Sequence, residues 1–273
     1  MEALAERMKI YEQIGQQSLI PMVPVIARLD GRAFHTLTRN FRKPFDEGFH
    51  QVMVYTMKYL VKQTGAKLGY TQSDEISLLF HSPKYDSQIF FDGKLFKIVS
   101  ILAAMASVRF NYAMAIVPGA PAVHATMEPI FDCRAANYPE EEVGNYFIWR
   151  ELDAVRNSIQ AAAQANFSHK SLQELSCNQL QEKLFSEKGI NWNDYSNEQK
   201  RGTYIRTIRV LEKFTADELH ELPEKHLART NPDLIFERNR TEIMDFPILT
   251  KIKNRTEVLL YGAEPELHAE TRE

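Results

Sequence analysis

The sequence has few cysteines and no excess of positive charge, and both shortages exclude classes of protein. Only two of the 273 residues are cysteines, Cys133 and Cys177, and they lie far apart and form no CxxC pair. Neither a disulfide framework nor a cysteine-rich zinc site is therefore expected. The formal net charge is −3 at pH 7, which argues against a protein that coats nucleic acid through bulk electrostatic attraction.

Long apolar runs and targeting signals are also missing. No run approaches the roughly 20 consecutive apolar residues of a membrane span, and MEALAERMKIYEQ at the N-terminus carries charges where a signal peptide has an apolar core. We therefore expect a cytoplasmic protein with no membrane partner. The composition itself, 44% hydrophobic and 25% charged residues, is that of an ordinary globular protein.

The order of apolar patterns predicts an α+β fold. Residues 23–29 are typical of a buried strand, residues 45–62 have the apolar spacing of a helix, and KLGYTQSDEISLLFH predicts two short strands joined by a polar turn. Residues 94–114 predict a largely buried helix, and residues 122–134 a broken strand. This βαββαβ order is the one found in ferredoxin-like sheets.

Beyond this core the sequence predicts further helices and then a change of character. Residues 140–165 form a helical stretch without proline, and SLQE at residues 171–174 has the form of a capping box for another helix. After about residue 215 the chain is polar and rich in turn signals, and FPILTKIKNRTEVLLYG is expected to be extended.

Two carboxylates fall at one edge of the predicted sheet. Right-handed crossovers place the first strand beside the third and antiparallel to it, so Asp30 at the end of one strand lies near Asp74 at the start of the other. Neighbouring carboxylates repel unless a proton or a cation lies between them. Mg²⁺ suits this arrangement because one or two carboxylates, together with waters and substrate phosphates, are enough to hold it.

Alternatives stay open for these residues. An Asp-Gly pair is also typical of a simple turn, and QSDEIS of a hairpin turn. In a regular strand Asp74 and Glu75 point to opposite faces, so only one of them can face Asp30. The sequence leaves open which of the two is the main metal ligand. Gly31 allows a phosphate to approach the backbone, or its carbonyl to contact a metal. The basic residues near enough in sequence to face a triphosphate are Arg32, His35 and Lys43.

Six stretches in matching order resemble the tRNA(His) guanylyltransferase family. They are RLDGRAFH, FRKPFDE, YTQSDEISLLF, FDCRAANYP, WRELDAVRN, and LFSEKGINWNDY with KRGTY after it. The resemblance covers about residues 24–204 and is specific as a combination. It implies a catalytic domain similar to the palm of template-directed polymerases, which extends tRNA in the 3′-to-5′ direction, and a homotetramer. The implied parts are a palm-like core over residues 1–140, a helical and nucleotide- or RNA-binding part of the same domain over 141–214, and a C-terminal extension over 215–273.

The resemblance also implies roles for single residues. Asp30, the carbonyl of Gly31 and Asp74 are implied to bind two Mg²⁺ ions, and Glu75 joins the two aspartates as a catalytic candidate. ATP and GTP, or other nucleoside triphosphates, are the implied substrates, and the implied nucleotide-binding residues are Asp30, Gly31, Arg32, Ala33, Phe34, His35, Lys43, Ser73, Asp74 and Asn191. Contact with RNA or its phosphates is implied for Arg150, Lys200 and Arg201. For Trp149, Arg150 and Asp153, which share the WRELD segment, helix packing with a salt bridge and substrate contact are both open.

One departure from the family pattern bears on the substrate. Eukaryotic members continue the WR segment with HINNLYN, whereas this chain has VRNSIQA, with Val155 in place of their histidine and Asn157 retained. The chain thus resembles more the bacterial, archaeal and phage-type members, which repair 5′-truncated tRNAs by copying the opposite strand. Addition of an extra 5′ guanosine to tRNA(His) is the first alternative. A nucleotide cyclase, for which no GGDEF-like segment is found, and a noncatalytic RNA-binding module, for which residues 23–29 lack stacking aromatics, are the others.

Overall fold

A computed structural model describes residues 2–123 and 127–268 of the chain. Its strands are β1 (Val25–Gly31), β2 (Leu68–Gln72), β3 (Glu75–Phe80), β4 (Phe131–Asn137), β5 (Thr203–Lys213) and β6 (Ile235–Met244). Its α-helices are α1 (Glu2–Glu12), α2 (Phe34–Leu37), α3 (Glu47–Thr64), α4 (Leu95–Ile116), α5 (Glu140–Asn166), α6 (His169–Leu172), α7 (Cys177–Lys188), α8 (Asn197–Arg201), α9 (Ala216–Glu221), α10 (Leu227–Thr230) and α11 (Arg255–Tyr261). The strands form one antiparallel sheet in the order β4-β1-β3-β2-β5-β6.

The first four strands with α3 and α4 form the ferredoxin-like unit. Along the chain the elements follow as β1-α3-β2-β3-α4-β4, and in space the strand order is β4-β1-β3-β2. Strands β1 and β3 pair along their length, from Val25 opposite Phe80 to Asp30 opposite Glu75. The predicted α+β fold with a palm-like architecture is confirmed. Strands β5 and β6, which extend the sheet beyond β2, were not predicted.

The sheet is covered on both faces. Val25, Ala27 and Leu29 of β1 belong to the core that α3 and α4 complete. On the opposite face Ile26 packs in a second core with residues of α5 and of the C-terminal segment that includes α11. Because side chains alternate along a strand, Arg28 and Asp30 point to the same face as Ile26, which is the side on which α5 lies.

Helix α3 shows how the local sequence sets an element. Asp46 caps its first turn by accepting a hydrogen bond from the amide of Phe49 at 2.9 Å. Apolar residues at helical spacing, including Met53 and Met57, are then buried on one face. The helix ends at Gly65, whose φ of 71° is a conformation that glycine adopts without strain.

Helix α4 is less buried than the sequence predicted. Judged by length and composition alone, it is long and apolar enough to cross a membrane. Ile98, Leu102 and Phe110 pack into the core, whereas Val108 and Tyr112 are exposed. The helix is therefore a core helix with one buried face.

Three local predictions need correction. The capping box lies at Ser176 and Gln179, which begin α7, because the chain passes through a left-handed conformation at Glu174 (φ 64°) and cannot continue a helix there. Residues 246–262 are not extended, since they contain α11, whose short apolar run is ambiguous in sequence. The predicted broken strand begins in a stretch whose residues 124–126 lie outside the described residues, and β4 starts only at Phe131.

A buried carboxylate joins α5 to the C-terminal segment. Glu151 is 5% exposed, and its Oε2 accepts a hydrogen bond from the amide of Leu249 at 3.2 Å. Burial raises the pKa of this carboxyl group to about 7. Near neutral pH the group is therefore close to its titration midpoint inside the folded protein.

Glu151→Gln is expected to stabilise the protein at pH 8 and to change little at pH 5. The pKa in the folded state exceeds the ordinary value of 4.5, so the favourable contribution of the protonated carboxyl is complete below that value and is lost as the pH rises through about 7. Glutamine keeps the acceptor oxygen without the charge, and the gain at pH 8 is at most about 3 kcal/mol. Thermal melts at both pH values measure it.

The matched control is Glu182→Gln, which removes an exposed carboxylate from α7. It should leave the melting temperature nearly unchanged at both pH values. Equal shifts of the Glu151→Gln protein at pH 5 and pH 8 would show that the charge of Glu151 is not the cause.

Candidate active site

The structure brings Asp30 and Asp74 to the same edge of the sheet. Asp30 and Gly31 both lie within β1, which excludes an isolated Asp-Gly turn. The amide of Gly31 donates a hydrogen bond to the backbone oxygen of Asp74 at 3.1 Å, which ties the end of β1 to the β2–β3 turn. Ser73, with φ 49°, lies in that turn, and β3 begins only at Glu75. Asp74 therefore lies outside the alternation of the strand.

The two aspartates interact electrostatically. Burial raises the pKa of Asp74, and the negative charge of Asp30 raises it further. A hydrogen bond from Ser73 and the neighbouring His35 act in the opposite direction. A cation placed between the carboxylates would remove the repulsion that this shift reflects.

The donor atoms at this edge fit Mg²⁺. Two carboxylates and the carbonyl of Gly31 are hard oxygen ligands, and Mg²⁺ completes such sets with waters and phosphates. Glycine at position 31 permits this packing, because an added Cβ would lie 2.5 Å from the ring of Phe34 and the ring would have to shift. Within residues 2–123 and 127–268 no group of three or more His, Cys, Asp or Glu side chains is arranged to hold a metal. An ion at Asp30 and Asp74 would thus depend on substrate phosphates for part of its shell.

Glu75 has a different environment from Asp74. Its buried carboxylate accepts hydrogen bonds from Nε and Nη2 of Arg150 at 2.7 and 2.8 Å. Arg150 also donates to Asp153 at 3.0 Å, and Nε of Arg28 lies 3.9 Å from Glu75. Burial raises the pKa of Glu75, whereas Arg150 and then Arg28 lower it. The ion pair links α5 to the sheet beside the strand ends that carry Asp30 and Asp74.

A cavity of about 490 Å³ opens beside the β2–β3 turn. Its walls come from the loop between α2 and α3, from the first turn of α3, from the β2–β3 turn, from α5 and from the start of α8. Two predicted nucleotide-binding residues, Lys43 and Ser73, line it. The volume lies within the range of small-molecule sites, roughly 300–1,000 Å³.

Several of the predicted nucleotide-binding residues 30–35 take part in the packing and backbone hydrogen bonds of the fold. Phe34 is buried, with its ring centroid 5.2 Å from that of Phe110, so only its backbone can reach a ligand. The amide of Arg32 donates to the carbonyl of Ile130 at 2.9 Å. With the amide of Gly31 bound to Asp74, neither of these two amides is available to a phosphate. The exposed members of residues 30–35 are Arg32, Ala33 and His35.

Three predicted site residues lie around α8: Asn191, predicted to bind nucleotide, and Lys200 and Arg201, predicted to contact RNA. The ammonium of Lys200 donates to the carbonyl of Asn193 at 2.6 Å, and burial lowers its pKa. Asn191 caps the short turn that follows it by accepting a bond from the amide of Asn193 at 3.1 Å. Arg201 donates to Asn197 at 3.3 Å and stays partly exposed. None of the three predicted residues lines the cavity described above.

Sequence reasoning missed a polar group at the cavity wall. Nε2 of His50 lies 3.1 Å from the hydroxyl of Thr203 and 3.7 Å from Glu198, and burial lowers the pKa of the imidazole. In the sequence His50 is one of several polar residues along an amphipathic helix, and its position gives no signal of a site. Asp46, which also lines the cavity, is recognisable only as a helix cap.

The fold and the site together define a palm-type nucleotidyltransferase. The tRNA(His) guanylyltransferase family model matches residues 5–139. A solved bacterial tRNA(His) guanylyltransferase-like protein in complex with ATP is 38% identical, with a TM-score of 0.76 over 94% of this chain and 99% of the other. Another, in complex with GTP, is 35% identical, with a TM-score of 0.72 over 95% and 99%. Uncharacterized protein R259 of Acanthamoeba polyphaga mimivirus is 31% identical over 75% of this chain and 77% of its own.

The chain belongs to the tRNA(His) guanylyltransferase family. The resemblance stated from the sequence motifs is thereby confirmed.

Proposed function

We propose that the chain is a template-dependent 3′–5′ RNA polymerase that restores missing nucleotides at the 5′ end of tRNAs. The observation that carries this proposal is the pair Asp30 and Asp74 at a sheet edge, beside a nucleotide-sized cavity lined by Lys43 and Ser73. Phosphoryl transfer needs positioning and charge neutralisation more than covalent chemistry by side chains. The ATP and GTP in the two similar bacterial structures support nucleoside triphosphates as substrates.

The residues of the site have distinct roles in this proposal. Asp30, Asp74 and the carbonyl of Gly31 hold two Mg²⁺ ions, which supply positive charge to the reacting phosphates. Asp74, which is bonded to no guanidinium within the described residues, is the main ligand of the β2–β3 turn, whereas Glu75 is engaged by Arg150. Lys43, exposed and bonded to the carbonyl of Thr38 at 3.0 Å, neutralises the triphosphate.

The reaction consists of two transfers at the same carboxylate pair. First, an oxygen of the RNA 5′-monophosphate attacks the α-phosphorus of ATP, and pyrophosphate leaves. Second, the 3′-hydroxyl of the incoming nucleoside triphosphate attacks the RNA 5′-phosphorus, and AMP leaves. An RNA that already ends in a triphosphate bypasses the first transfer and releases pyrophosphate in the second.

The segment that replaces HINNLYN supports repair of several tRNAs. Val155 packs against an apolar cluster that contains Ile159 and Trp192, and a valine side chain donates and accepts no hydrogen bond. Asn157, which the family pattern retains, donates to Asp153 at 3.3 Å and lines the cavity. Selection of the nucleotide then rests on base pairing with the opposite strand, because a wrong base leaves hydrogen-bonding groups unpaired.

Truncated tRNAs that differ in anticodon and in the templating base test this function. With ATP, Mg²⁺ and all four nucleoside triphosphates, the product is expected to gain the Watson–Crick complement of the templating base, whichever anticodon is present. Product length and sequence are the readout. Guanosine added regardless of template, or only to tRNA(His), identifies a guanylyltransferase proper. Turnover of nucleotide without RNA identifies a cyclase, and RNA binding without any turnover a noncatalytic module.

A further inference from the structure

We infer that Trp149 is a stacking platform for an unpaired base of the RNA 3′ strand, the strand that serves as template. The inference rests on the proposed function, since it takes RNA as the substrate. Trp149 lies on α5, which covers the sheet face that carries Arg28 and Asp30, and its surface is 51% exposed. Tryptophan is a large apolar side chain that structures usually bury.

The protein supports the indole ring from one side. The guanidinium carbons of Arg150 and Arg28 lie 4.4 and 5.7 Å from the ring centroid. Both guanidiniums also approach the carboxylate of Glu75, which is buried below the surface. They therefore cover the side of the ring that faces the interior. Tyr146 contacts Trp149 in an edge-on arrangement at 5.8 Å and fixes its orientation.

The ring lies close to the carboxylate pair. Arg28 precedes Asp30 by two positions on the same face of β1, so their Cα atoms are about 7 Å apart along the strand. A base stacked on Trp149, next to Arg28, is thus within a few nucleotides of the reacting 5′ end.

The charges around Trp149 fit an RNA backbone. Arg134, opposite Arg28 in the β1–β4 ladder, and Arg156 on α5 both have exposed side chains. Each is paired with a neighbouring aspartate, and surface ion pairs of this kind are weak enough to be exchanged for phosphate contacts. An aromatic ring among arginines is the usual arrangement for single-stranded RNA.

An unpaired base is favoured over the end of the duplex. During templated addition, the incoming nucleotide stacks on the last base pair and covers its face. A base in the 3′ strand beyond the templating position is unpaired and can offer a face to a protein ring, and aromatic rings stack on such bases without regard to sequence.

Intrinsic fluorescence gives a direct test, because the chain has two tryptophans and Trp192 is only 6% exposed. The probe is a hairpin RNA with a 5′-monophosphate and a single-stranded 3′ overhang, compared with the same hairpin made blunt. The overhang RNA is expected to quench the fluorescence, and most of this quenching should be lost in Trp149→Phe. Equal quenching by the blunt RNA, or quenching that persists in Trp149→Phe, would overturn the inference.

Affinity provides the second measurement. Trp149→Ala is expected to bind the overhang RNA roughly tenfold more weakly, Trp149→Phe to retain most of the affinity, and both to bind nucleotide normally. Phe185→Ala removes an exposed aromatic ring from α7 and serves as the control. If Trp149→Ala binds as tightly as the control, the ring is not a stacking platform.

The outcomes separate this inference from the proposed function. Quenching by overhang RNA without any nucleotide addition would leave Trp149 as an RNA contact and refute the polymerase. Templated addition without quenching would leave the polymerase and refute the role of Trp149.

Discussion

Asp30→Asn and Asp74→Asn are each expected to lower the rate of nucleotide addition by about 10³-fold or more. Asparagine preserves the shape of the side chain and removes the charge that a divalent cation requires. In the proposed mechanism both transfers use the same pair, so adenylylation of a 5′-monophosphate RNA and extension of a 5′-triphosphate RNA should fall together. Single-turnover rates with the two RNAs measure the effect.

Folding is expected to survive these substitutions. The carboxylate of Asp30 raises the pKa of Asp74, so loss of either charge relieves repulsion in the metal-free protein. Asp132, opposite Asp30 in the β1–β4 ladder and exposed, provides the matched control. Asp132→Asn should retain the rate within a few-fold. A folded Asp30→Asn protein with near-normal rates would refute the assignment of Asp30 and Asp74 as the catalytic carboxylates.

The proximity of Asp30 and Asp74 could be predicted because it depends only on topology. Apolar periodicity gave the order of elements, and the handedness of crossovers then placed the first strand beside the third. Neither step requires knowledge of side-chain packing. Helix α3 could also be predicted from the sequence. The predicted bounds are 45–62, and the observed helix lies between its caps Asp46 and Gly65.

The partner of Glu75 could not be predicted in this way. Strand alternation assigns Glu75 to one face, but which residue of α5 meets it depends on how the helix slides and rotates over the sheet. For Arg150 the sequence leaves both a salt bridge in helix packing and substrate contact open, and only the structure shows that its guanidinium is bonded to Glu75 and Asp153. The burial of Lys200 under the turn that carries Asn193 is a long-range outcome of the same kind.

Strands β5 and β6 show a different limit. These two strands pair with each other, for example with Tyr204 opposite Met244. In the sequence they are separated by a long polar segment that contains α9 and α10. The polar composition after residue 215 masked the second strand. Only the first part of β5, from Thr203 to Arg206, pairs with β2 and is buried, so the strand contributes just four residues to the core and the rest of it is partly or fully exposed.

Arg150→Met is expected to destabilise the protein by about 3–5 kcal/mol at pH 8. Methionine fills much of the same volume but leaves the buried carboxylate of Glu75 without its two hydrogen bonds. The double variant Arg150→Met/Glu75→Gln removes the unpaired charge and should recover part of the loss. Unfolding by denaturant, with the single and double variants compared under the same conditions, measures both effects.

The loss in Arg150→Met should also depend on pH. Burial already raises the pKa of Glu75, and Arg150 is the largest influence that lowers it, so removal of the guanidinium raises this pKa further. A carboxyl group whose folded pKa exceeds its unfolded value stabilises the fold at low pH, and this stabilisation is lost as the pH rises through the folded pKa. The deficit of Arg150→Met is therefore expected to be smaller at pH 5 than at pH 8.

Arg156→Met, which breaks an exposed pair with Asp153 on the same helix, should change stability by less than about 1 kcal/mol at either pH. If the two arginine variants were equally stable, the pair of Arg150 with Glu75 would not be what fastens α5 to the sheet.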